Sequence, residues 1–113
     1  MGYIRHQGII VTGSDTSTFG GRHTTNEARN KALELGLPCS EIVYGTTNGY
    51  TSFIIAPDGS KEGWSESTDQ ERKRAEWMTW AKLNRSGFNW ACVSFGGDDA
   101  ALASLDDWDD RET

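Results

Sequence analysis

Asn48-Gly49-Tyr50-Thr51-Ser52-Phe53-Ile54-Ile55-Ala56-Pro57-Asp58-Gly59-Ser60-Lys61-Glu62-Gly63-Trp64 is the stretch on which the fold turns. It opens on an Asn-Gly pair, residues that tolerate the positive φ angles of a hairpin turn. The run from Tyr50 to Ala56 is rich in β-branched and aromatic residues and reads as a strand. Pro57-Asp58-Gly59 ends that strand and leads into a loop where Lys61, Glu62 and Trp64 stand close together. Upstream of the turn, Glu41-Ile42-Val43-Tyr44 reads as the partner strand, so an antiparallel hairpin lies near the middle of the chain.

Working outward, Gly8-Ile9-Ile10-Val11-Thr12 is a compact apolar run closed by Gly13-Ser14-Asp15 and predicts a buried first strand. Thr24-Thr25-Asn26-Glu27 carries a capping-box pattern, Ala28, Ala32 and Leu35 follow at helical spacing, and Gly36 with Pro38 stops the run. A helix over 25–35 is expected. After the loop, Ser67 and Thr68 are each followed three residues later by Gln70 or Glu71, and a second helix is expected over 69–84, with Trp77, Met78 and Ala81 turned inward. Trp90-Ala91-Cys92-Val93-Ser94-Phe95 predicts the last strand.

The order β-α-β-β-α-β predicts an α+β, split-βαβ (ferredoxin-like) sandwich, a four-stranded antiparallel sheet with two helices on one face. The two longest apolar runs are the first and third strands and are placed at the centre. The alternative is another α+β sandwich of the same elements in a different sheet order. Beyond Asp98 and Asp99, Ala100 to Leu105 predicts a short acidic C-terminal helix, Leu102 and Leu105 sharing a face that Trp108 extends. The organisation expected is one domain over 1–97 and an acidic tail over 98–113.

The chain has 113 residues, five of them Trp, and a net charge of −6. Ten basic and ten acidic residues balance up to Phe95; from Gly96 onward seven acidic residues face Arg111 alone. A neutral body with an acidic tail repels phosphates and argues against nucleic-acid binding. The glycine-aromatic pattern at Gly49-Tyr50 and Phe53 is likewise unlike an RNA-recognition strand, because residues three apart point to opposite faces. No run approaches the length of a membrane span. Cys39 and Cys92 are far apart and fit free thiols in a reduced, intracellular compartment.

No nucleophile elbow, metal-ligand spacing or P-loop is present in the sequence, and no cofactor is expected. His6 and His23 lack a neighbouring nucleophile. The Asp pairs at 106–107 and 109–110 lack the pattern of a calcium loop. The Gly-Ser-Asp-Thr-Ser-Thr segment after the first strand is a weak phosphate-cradle signal, better read as an ordinary loop. The loop to Trp64 has two readings. It is a turn that folds Trp64 onto the core, or a site in which Lys61 and Trp64 contact an anionic or aromatic ligand and Glu62 accepts a hydrogen bond. Candidate binding residues are Asn48, Tyr50, Asp58, Lys61, Glu62, Trp64 and, among the acidic residues of the tail, Trp108.

On the strand Ile9-Ile10-Val11-Thr12, the segment Asn48-Gly49-Tyr50 with Ser52-Phe53, the run Ala56 to Trp64, the charged helix after it and the Trp-x-x-Val strand leading to Gly97-Asp98-Asp99, the chain resembles a family of small uncharacterised proteins of tailed bacteriophages, many from actinobacterial hosts. The resemblance covers most of 8–99. It implies a phage accessory protein made in the bacterial host cytoplasm, not an activity. The small scaffold, the Lys61/Trp64 loop and the absence of a triad or metal set in the sequence predict a non-catalytic protein, a homodimer or larger, that binds a host protein or sequesters a nucleotide-like small molecule, by analogy with accessory proteins of host takeover or anti-defence. The alternatives are a small nucleotide- or peptide-directed enzyme using His6, His23 or Glu62, and a virion or assembly component.

Overall fold

The computed structural model describes residues 5–14, 24–47, 49–59, 65–83, 87–96 and 103–109. It contains β1 (Arg5–Ser14), α1 (Thr25–Glu34), β2 (Val43–Tyr44), β3 (Tyr50–Ile55), α2 (Ser65–Leu83), β4 (Phe88–Gly96) and β5 (Ser104–Trp108). The molecule is α+β; the described residues form two helices and one five-stranded sheet in the order β2-β3-β1-β4-β5. Every strand pairing is antiparallel.

Local chemistry accounts for the elements in the central stretch. Gly49 has φ 66°, as the hairpin turn needs, and the Gly45 amide closes the hairpin on the Tyr50 carbonyl at 2.8 Å. Along β3 the side chains alternate, Thr51, Phe53 and Ile55 buried and Tyr50 and Ile54 exposed. β1 supplies the middle of the sheet, pairing Ile10 with Ile54 on one side and with Ala91 on the other.

Both helices cover the face that carries Ile9, Val11, Phe53, Ile55, Phe88, Trp90 and Cys92. α1 starts at the expected capping box, the Glu27 amide donating to Thr24 Oγ1 at 3.2 Å and the Thr24 amide to Glu27 Oε1 at 3.4 Å. Ala28 and Ala32 bring it close to the sheet, and Gly36, at φ 85°, ends it. From α2, the fully buried Trp77 donates from Nε1 to the Ala28 carbonyl at 3.0 Å and meets Trp90 edge-on at 5.7 Å between centroids. One indole thus ties the two helices to the sheet, and burying such a ring contributes roughly 2–3 kcal/mol.

Three sequence expectations change. The sheet has a fifth strand, so β4, expected at an edge, is interior. The expected C-terminal helix is absent from the described residues, where Ser104–Trp108 is β5. An isolated helix of so few residues is marginal in water, whereas the free edge of β4 offers a row of backbone partners, so the segment pairs there. α2 begins at Ser65, which puts Ser67 and Thr68 inside its first turn instead of at its cap. Glu66 lies in that turn, where the helix dipole favours a carboxylate.

Candidate functional site

The sheet has a second face over which neither described helix lies. Cross-strand partners share a face, so the register places Ile10, Thr12, Ser52, Ile54, Ala91 and Val93 together, with Tyr50 and Phe95 at the ends of their strands. Val43 joins them as the partner of Ser52. β5 adds Trp108 opposite Ala91 and Leu105 opposite Val93.

Leu105 and Trp108 are three residues apart and would lie on opposite faces of a regular strand. They share the open face because the register shifts between Cys92 and Val93: Asp107 pairs with Cys92 and Leu105 with Val93, leaving Asp106 as a bulge residue. The bulge sends carboxylates the other way. On the helix side, Lys82 Nζ donates to Asp107 at 2.9 Å, Gln7 Nε2 donates to Asp106 at 2.9 Å, and Ser94 Oγ donates to the same Asp106 carboxylate. Acidic β5 therefore contributes apolar side chains to one face and acids to the other.

Among the described residues, seven of the ten large apolar side chains that are exposed, Ile10, Val43, Tyr50, Ile54, Phe95, Leu105 and Trp108, lie on this face, each between 43% and 63% exposed. At its centre Gly8 leaves a depression of about 160 Å³, lined also by Ile10, Ile54, Pro57, Val93 and Phe95. Among the described residues the face is apolar or neutral across its middle. Thr12 and Ser52 hydroxyls satisfy each other at 2.8 Å, and the His6 ring lies 5.3 Å from that of Phe95. A carboxylate comes near only at one corner, where Asn89 donates to Asp109 at 3.0 Å.

Of the residues singled out in the sequence, Tyr50 and Trp108 are on this face. Asp58 is not: it accepts from Arg74 at 3.4 Å, and Arg74 also donates to Gln7 Oε1 at 3.1 Å. Arg74 is 4% exposed, on the same inward stripe of α2 as Trp77 and Ala81, so the loop after β3 is fastened to α2 by a largely buried ion pair. Asn48, Lys61, Glu62 and Trp64 lie outside the described residues, as do His23 and most of the Gly-Ser-Asp-Thr-Ser-Thr segment.

A shallow groove of about 480 Å³ between the helices is lined by Lys31, Arg72, Glu76, Thr79, Trp80 and Leu83. Its cations are engaged, Arg72 with Asp69 and Glu76 at 2.9 Å each and Lys31 with Glu34 at 3.9 Å. The cysteines are poor nucleophiles. Burial, reinforced by the Asp106 charge, pushes the Cys92 thiol up to about 11, and burial raises Cys39 against the opposing Arg29. No group of three metal-binding side chains occurs among the described residues, and no helix there is long and apolar enough to cross a membrane.

Sequence reading missed Ile10, Ile54, Phe95 and Leu105 as site residues. A signal was present: Ile9-Ile10-Val11 and Phe53-Ile54-Ile55 are unbroken apolar runs, which demand cover on both sides of a strand. Only one side is covered by helices. No protein-family model, curated protein or solved structure matches this chain.

Proposed function

We propose that this protein works by binding another protein, without catalysis, and that the helix-free face of the sheet is its docking surface. The observation that carries the reading is the concentration of half-exposed apolar side chains around Ile10 and Ile54, with no charge in the middle of the described face. Monomeric proteins rarely leave a contiguous apolar patch of more than a few hundred Å² in water. A protein surface fits this face better than a nucleotide does. The depression at Gly8 is about 160 Å³, below the roughly 300–1,000 Å³ of small-molecule sites, and its apolar lining offers nothing to a phosphate.

The resemblance to tailed-phage proteins supports an accessory role for this binding, directed at the host. The fold belongs, in this reading, to the split-βαβ (ferredoxin-like) arrangement. The order β2-β3-β1-β4 and the helices on one face support it, with β5 as an added edge strand.

The test is the phenotype of host cells making the protein, read as growth and as phage yield. Ile54→Arg and Phe95→Arg should abolish the effect of the wild type while circular dichroism remains unchanged, and His23→Ala and Glu62→Gln should preserve it. An effect that survives the face substitutions but disappears with His23→Ala or Glu62→Gln would point to catalysis and overturn the reading.

A further inference from the structure

We infer that the occupant of the open face is a second copy of the same chain, packed sheet to sheet about a two-fold axis near Ile10. This deepens the docking reading above and rests on it: the protein docked on this face is a second copy, and the effect on the host belongs to the dimer. Three observations select the second copy.

The first is area. Five strands spaced about 4.8 Å apart and six or so residues long at about 3.3 Å each make a face of roughly 500 Å², which side-chain relief enlarges. Two such faces bury roughly 1,000–1,300 Å² together, which reaches the size of a specific interface. The open face of one copy is therefore large enough to support a dimer by itself.

The second is charge. The chain carries a net charge of −6, so two copies repel each other wherever acidic surfaces meet. The described open face is where a copy can approach without that cost, because the bulge at Asp106 directs Asp106 and Asp107 to the helix side, where Gln7, Ser94 and Lys82 engage them. Asp109 stays at the corner, held by Asn89. A strongly basic host partner would find no acidic counterpart in the middle of this face.

The third is shape. A two-fold interface requires each copy to carry both the protrusion and the hollow that receives it. Ile10 and Ile54 stand 49% and 43% exposed beside the hollow left by Gly8, where Pro57, Val93 and Phe95 form the walls. Antiparallel sheets pack face to face about 10 Å apart, a distance that side chains of this size fill.

The experiment is sedimentation equilibrium of the full chain from low to high micromolar concentration, with wild type, Ile10→Arg, Ile54→Arg and, as a control on the outer surface of α1, Leu33→Arg. The wild type and Leu33→Arg should be dimers. Ile10→Arg and Ile54→Arg should weaken the dimer by at least about 100-fold with unchanged circular dichroism, because the two-fold counts each introduced charge twice. A wild type that stays monomeric at high micromolar concentration overturns the inference. In that case a host effect lost in Ile54→Arg keeps the docking reading, whereas a host effect retained there removes both. A dimer indifferent to both face substitutions also overturns the inference, since it must use another surface. Hydrogen exchange checks the one remaining occupant, the chain's own segments: protection of 8–12 and 52–55 that does not change on dilution, in a monomer, counts against the second copy.

Discussion

At the scale of single residues, two positions hold geometry that no substitute would reproduce. Gly13 pairs with Phe88, and a Cβ built on it would stand 2.3 Å from the Gly87 carbonyl oxygen and 2.8 Å from Phe88 Cα. Both obstacles are backbone, so Gly13→Ala must part β1 from β4; thermal unfolding should show a loss of about 1–3 kcal/mol. Arg74 holds Asp58 and Gln7 from a nearly closed site. Arg74→Ala removes the buried guanidinium from Asp58 and Gln7 and should cost roughly 2–4 kcal/mol in urea denaturation, while the double change Arg74→Met with Asp58→Asn should recover part of it. The buried thiol fixes a pH dependence. The Cys92 pKa is raised from 9.0 to about 11 in the folded protein, so the unfolded chain releases its proton first as pH rises. Its contribution is complete below about pH 9 and is lost between pH 9 and 11. Cys92→Ser or Cys92→Ala should flatten that alkaline limb of the stability curve, and alkylation of Cys92 at pH 8 should proceed only through unfolding.

At the scale of elements, the decisive feature is the bulge in β5. Asp106 is the extra residue that lets Leu105 and Trp108, three apart in the chain, share one face; its deletion leaves them two apart, so a regular strand keeps both on the open face. Deleting Asp106 should therefore lower the melting temperature and speed amide exchange at 104–108 by no more than Asp106→Ala does, because both changes lose the same carboxylate and neither turns Leu105 inward. The substitution keeps the bulge and loses only the acceptor of Gln7 and Ser94, a cost of about 1–2 kcal/mol. β2 shows the opposite economy. It has only two paired residues, and the edge of β3 beyond it is covered by Pro38 to Ser40, the Ser40 amide donating to Ile54 at 2.9 Å and the Ala56 amide to Pro38 at 2.7 Å. A short strand and an irregular cover leave little open edge for stray pairing on that side.

At the scale of the whole molecule, the layers divide the chemistry. Helices take one sheet face and supply the core through Trp77; acids of β5 are tied to that same side; the opposite face keeps the unshared apolar side chains. A dimer made through such a face brings two net charges of −6 together while burying no described carboxylate at its middle. Added salt should then strengthen association instead of weakening it, because it screens the repulsion and leaves the apolar contact intact. Sedimentation in 0.05 and 0.5 M sodium chloride, values chosen to move the Debye length from roughly 14 Å to roughly 4 Å, reads the sign directly.

Residues close along the chain set the order of the elements through β4, the capping box of α1, the glycine turn at Gly49, the inward stripe of Trp77 and Ala81, and the charge imbalance from Gly96 onward, and all of these are legible in the amino-acid sequence. Each of these is set by neighbours within a few residues, where period, cap and turn chemistry act. Long-range packing makes 104–108 a strand, buries Arg74 on Asp58 and leaves Ile10 and Ile54 about half exposed. Those outcomes depend on partners distant along the chain: the unpaired edge of β4, the loop after β3, and a helix layer that covers one side of the sheet. An apolar run states that a strand needs cover on both faces. Which face receives it is settled by what the rest of the chain brings to each side.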